Sequence, residues 1–125
     1  MVKFKRISCP ADSFEERVQK WLSGESNIKV WGLTLVYRFD TNKKLILSAL
    51  IQYHVLEKSS NVAPSEFKLF VFDGSDTEIQ VGMNEWSGKE SRRGISPVYD
   101  SCCHQEAPGA YQEFHAIFRS RPDHY

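Results

Sequence analysis

Residues 29–57 constrain the fold more than any other stretch of the chain. KVWGLTLVYRFD (29–40) places Trp31, Leu33, Leu35, Tyr37 and Phe39 at every second position, with Gly32, Thr34 and Arg38 between them. Successive side chains of a β-strand point to opposite faces, so this spacing predicts a strand with one apolar face. The polar turn TNKK follows. LILSALIQYHVLE (45–57) is then apolar on both faces, as expected of a central strand covered on both sides. Together the two runs predict a long antiparallel hairpin.

A helix is predicted upstream, over 13–24. Phe14, Val18, Trp21 and Leu22 form one helical stripe, Ser13 and Glu16 have capping-box spacing, and Gly24 is a natural stop. Glu16 and Lys20 stand four residues apart on its wet side. VKFKRIS (2–8) reads as a short edge strand whose lysines discourage edge-to-edge pairing. Downstream, FKLFVFD (67–73), the turn GSD and TEIQVGM (77–83) predict a second hairpin, with 58–66 as polar loop. AYQEFHAIFRS (110–120) fits a helical stripe through Tyr111, Phe114 and Phe118 and a strand face through Phe114, Ala116 and Phe118; aromatic density and the lack of an N-cap residue favour the strand. No sequence repeat or low-complexity segment occurs.

This order predicts an α+β fold. One antiparallel sheet of four to six strands would carry the N-terminal helix on one face, with a second, C-terminal helix as the alternative for 110–120. The aromatic stripe of 31–39 would meet Phe14 and Trp21. The opposite sheet face, with Ile46, Leu50, Leu56, Phe70 and Phe72, would need cover from a second helix or a second subunit, since each fully buried apolar side chain is worth about 1.5–3 kcal/mol. A homodimer through that face is therefore expected.

At 125 residues the chain is read as a single domain, 1–125. Its hydrophobic content of 41% supplies a core without disulfides, metal or cofactor. The start lacks the apolar stretch of a secretory signal and no window suits a membrane span. Three cysteines, an odd number, suit reduced thiols and a cytoplasmic location. With 16 basic and 16 acidic residues the net charge is zero, which argues against nucleic acid or anionic membrane as partner. The charge is unevenly placed, however: residues 1–62 hold ten Lys/Arg against six Asp/Glu, and residues 63–125 the reverse.

Residues 84–109 resist assignment, apart from a short strand at ISPVYD, and a loop of that length usually serves a function. The segment concentrates Trp86, Lys89, Arg92, Arg93, Tyr99, Asp100, Cys102, Cys103, His104 and Glu106. Adjacent cysteines stand about 3.8 Å apart at Cα, too close for an unstrained disulfide. Cys102 and His104 would share a strand face, but no ligand pair with zinc spacing accompanies them. GKESRRG (88–94) offers backbone amides and cations to an anion without the order of a phosphate-binding loop.

These features predict a binding or interaction module for a small anionic or aromatic ligand or a protein partner. Trp86, Arg92 and Arg93 would contact the ligand, and His104 or His54 would add a polar wall. The alternative is a small enzyme with His104 or His54 as general base and Asp100 or a cysteine beside it, because histidine titrates near neutrality. No reaction class is indicated.

Overall fold

The computed structural model describes residues 2–25, 27–56, 66–90 and 98–119. The chain opens with strand β1 (Val2–Pro10), which passes directly into helix α1 (Ala11–Gly24). The helix begins two residues before the predicted start because Pro10, with its fixed φ, ends the strand. The Ser13–Glu16 capping box does not form; the Ser13 hydroxyl donates to the Pro10 carbonyl at 3.2 Å instead. Phe14, Val18 and Leu22 make the buried stripe.

Strands β2 (Ile28–Phe39) and β3 (Leu45–Val55) form the predicted hairpin. Its turn is held by Asp40, whose Oδ1 accepts the Asn42 and Lys44 amides at 2.8 and 2.9 Å. β3 is central, in the order β1-β3-β2. The stripe of 31–39 is not continuous. Val30 pairs with Tyr53 and Gly32 with Gln52, leaving Trp31 as the extra residue of a β-bulge. Such an insertion resets the alternation of side chains. Leu35 therefore faces the core while Trp31 turns outward against His54. Phe14 and Trp21 accordingly meet Phe67 and Tyr53 rather than that stripe.

Beyond β4 (Glu66–Gly74) the structure departs from the predicted hairpin. Residues 77–83 are not a strand but part of helix α2 (Asp76–Glu90). Its start is a reciprocal cap: the Glu78 amide donates to Ser75 Oγ and the Ser75 amide to Glu78 Oε1, both at 3.2 Å. Within the segment predicted as loop, α2 runs to residue 90 and strand β5 (Tyr99–Ala107) is regular. β6 (Ala110–Arg119) confirms the strand preference at 110–120, so the second helix is internal and not C-terminal. β4 pairs with β6, giving the order β4-β6-β5.

The fold is thus α+β with two three-stranded antiparallel sheets in place of one larger sheet. Each is built by strand, helix, strand, strand, in the same spatial order, although the sequence carries no repeat. One cluster of buried side chains draws on both units, including Phe14, Leu47, Ile51, Phe67, Phe114 and Phe118. α1 lies between the units on one side, packed on β1, β3 and β4, with Gln19 Oε1 accepting the Phe67 amide at 2.8 Å. On the other side the edge strands β2 and β5 converge.

α2 covers the outer face of the second sheet, where Phe70 and Phe72 lie against Trp86. A Cβ at Gly82 would stand 3.1 Å from the Phe72 ring, so glycine permits this close approach. No described helix covers the outer face of the first sheet, and no described helix is long and apolar enough to cross a membrane.

Candidate functional site

Among the described residues, those singled out in the sequence do not converge on one place. Trp86 sits on α2 against Phe70, Phe72, Tyr99 and His115, and with Gly82, Glu85 and Lys89 it lines a hollow of about 400 Å³. His104 lies on β5, facing the other sheet, 7% exposed, with its ring 5.3 Å from Tyr37 and 5.7 Å from Phe39. Its Nε2 donates to Gln112 Oε1 at 2.9 Å, and its Nδ1 has no partner among the described residues. His54 is on the outer face of the first sheet, 5.3 Å from Trp31. Arg92 and Arg93 lie outside the described residues.

The cysteines Cys9, Cys102 and Cys103 are free thiols. Burial, followed by the Asp100 carboxylate, pushes the Cys102 thiol up to about 11, and burial raises Cys103 and Cys9 as well. Each shift lowers the thiolate fraction that a nucleophile or metal ligand requires. Among the described residues no group of three His, Cys, Asp or Glu side chains is placed to hold a metal ion.

A polar chain that sequence reasoning missed runs beneath α2. His115 Nε2 donates to Glu113 Oε1 at 2.7 Å, and its Nδ1 accepts the Tyr99 hydroxyl. Its strand spacing was visible: residues 113 and 115 share a face of β6, opposite Cys103 and Ser101 of β5, with Tyr99 two residues before Ser101 on the same face. His115 is only 1% exposed, and the Trp86 ring lies over both it and Tyr99. The chain satisfies the buried His115 ring, with Tyr99 and Glu113 partly buried on either side of it.

The open chemistry lies in the first unit. A groove of about 540 Å³ runs along the β1 edge beside α1. Lys5 and Arg6 line it from β1, Arg17 and Lys20 from α1, and Trp21 supplies an apolar wall. Arg17 and Lys20 are three residues apart, hence on one side of the helix. The α1 carboxylates Asp12, Glu15 and Glu16 line a second hollow that Lys20 also borders, and Glu15 is paired with Lys68 at 3.6 Å. Among the described residues, no carboxylate stands within 4 Å of any of the four groove cations.

From this groove the surface continues over β1 onto the outer face of the first sheet, which no described helix covers. Val2, Phe4, Arg6 and Ser8 of β1 lie beside His54, Gln52, Leu50 and Ser48 of β3. Lys29, Gly32, Thr34, Val36 and Arg38 complete the face from β2, with the bulged Trp31 beside them. Phe4 is 63% and Trp31 51% exposed, and the Lys29 ammonium stands 4.5 Å over the Trp31 ring. None of these positions is acidic. The positive balance of residues 1–62 hinted at this surface, but alternation alone placed Trp31 in the core.

The chain matches no protein-family model, no curated protein and no solved structure.

Proposed function

We propose that the protein is a binding module for an anionic ligand held in the groove between β1 and α1. The observation that carries this reading is the convergence of Lys5, Arg6, Arg17 and Lys20 on one concavity with no carboxylate partner among the described residues. Like charges bordering one groove repel, and an anion bound there relieves that repulsion. Two arginines add planar donors suited to phosphate or carboxylate oxygens, and the lysines add mobile point charges. The groove volume falls in the usual range for ligand sites, roughly 300–1,000 Å³. The hollow beside Trp86 offers Lys89 and Glu85, whose charges offset, and so has weaker claim to an anion.

Placement weighs against an enzyme with His104 or His54 as general base. His104 is enclosed by Tyr37, Phe39 and Phe114, and His54 has no hydrogen-bond partner among the described residues to orient it.

Titration calorimetry with inorganic polyphosphate tests the proposal. Binding is expected to weaken steeply with salt, and the Arg17→Glu/Lys20→Glu variant to abolish it, while Lys89→Glu leaves it unchanged. Loss of binding in Lys89→Glu alone would move the site to the Trp86 hollow. Absence of binding at low salt would sink the proposal altogether.

A further inference from the structure

We infer that the anion is single-stranded nucleic acid, with its backbone along the basic groove and its bases laid on the outer face of the first sheet. This rests on the anion-binding reading above and names the polymer that the same surface takes.

Three observations carry it. First, groove and face are continuous, because Arg6 and Ser8 line the groove and also stand in the register of the face. Second, the face offers rings and cations together. Phe4 and Trp31 project from the two outer strands, two strand spacings or roughly 10 Å apart. Each is more than half exposed, and Lys29 beside Trp31 puts a cation next to a stacking surface. Aromatic rings on a positively charged surface are how sequence-tolerant proteins grip unpaired bases. Third, Gln52 lies between Phe4 and Gly32 in the register, and its side-chain amide forms no hydrogen bond among the described residues. Glycine at 32 leaves that amide open to a base edge, since a Cβ there would stand 3.1 Å from Gln52 Oε1. A duplex, whose bases are already stacked and paired, could not use these rings.

Two other occupants fit less well. A second copy joined by a twofold axis would bring Arg6, Lys29 and Arg38 against the same cations, with no carboxylate on the face to answer them. A lipid surface would favour an unbroken apolar patch, whereas Ser8 and Ser48, hydrogen-bonded at 2.7 Å, and Gln52 run through the middle of this one.

The test is fluorescence anisotropy of the full chain with labelled oligo(dT) and oligo(U) of about 15 nucleotides. The same titrations are run with a duplex of equal length, inorganic polyphosphate and vesicles of anionic lipid. The single strands are expected to bind more tightly than the duplex, and to lose about 50-fold in affinity for a fourfold rise in salt if four phosphates are neutralised. Phe4→Ala and Trp31→Ala, both at exposed positions, should each weaken single-strand binding on the order of tenfold and leave polyphosphate binding unchanged. If polyphosphate binds and single strands show no dependence on either ring, the nucleic-acid inference fails while the anion-binding reading stands. If nothing anionic binds, both fail. Preference for vesicles, or a dimer that Trp31→Ala separates, would assign the face to lipid or to self-association and likewise overturn the inference.

Discussion

The carboxylate of Asp100 on β5 accepts the backbone N–H of Leu35 on β2 at 2.7 Å, across the seam where the two sheets converge. β2 is an edge strand, so this amide has no ladder partner on that side, and Leu35 itself is buried. A side chain therefore does here what a neighbouring strand would do in a continuous sheet. Asp100→Ala leaves a partly buried donor unsatisfied and is expected to cost about 1–3 kcal/mol in urea unfolding. Asp100→Asn keeps an acceptor and should cost less. Equal losses in the two variants would show that the amide bond is not what matters at the seam.

Two phenylalanines distinguish the core from the outer face of the first sheet. Phe14 is 0% exposed and meets Phe67 edge-on at 5.9 Å between centroids. Phe14→Ala is expected to destabilise by about 3–5 kcal/mol. Phe4→Ala, at a surface position, should stay within about 0.5 kcal/mol. A loss above about 1.5 kcal/mol at Phe4 would mean that its ring is covered in solution.

The thiols differ in accessibility and share the sign of their shift. Cys103 is exposed and is expected to be alkylated first at pH 8. With its thiol raised to about 11, Cys102 is ionised at that pH to about one part in a thousand and should react far more slowly. A thiol that is harder to ionise in the folded state contributes stability that is complete below its ordinary value of 9.0 and is lost as pH rises toward 11. The Tyr99 phenol, raised chiefly by burial, adds a loss of the same sign at high pH. Thermal unfolding should therefore fall above pH 9, and by less in Cys102→Ala than in the wild type. An identical pH dependence in the two proteins would remove Cys102 from the account.

Where the sequence misled, a local signal competed with a stronger one. Ile79, Val81 and Met83 alternate like a strand, yet Ile79, Met83 and Trp86 also follow a helical spacing, and Ser75 and Glu78 have the spacing of the cap that forms. The cap decides, because it satisfies amides that the first helical turn would otherwise leave unpaired. Pro108 and Gly109 marked the β5–β6 turn, where Gly109 takes a φ of 76°, a conformation costly for other residues. Reading 84–109 as one loop hid that turn and with it β5. In β2 the bulge at Trp31 was invisible to alternation, since nothing in a single strand reports how many residues its neighbour sets against it. Of the candidate binding residues, Trp86 lines a hollow, His104 faces inward, and the basic groove drew on residues spread over β1 and α1 that no local spacing connects.

Alternation, helical spacing and turn residues, read along the chain, were enough to indicate α1, the β2–β3 hairpin, and β1 and β4 as strands, and to favour a strand over a helix at β6, because each depends on side chains a few positions apart. Tertiary structure alone decided that six strands divide into two sheets, that α2 covers one of them, and that the other presents rings and cations to solvent. Those outcomes depend on which distant edges and faces meet, and the free energy of such meetings is set by burial and hydrogen bonding between residues that the linear order keeps far apart.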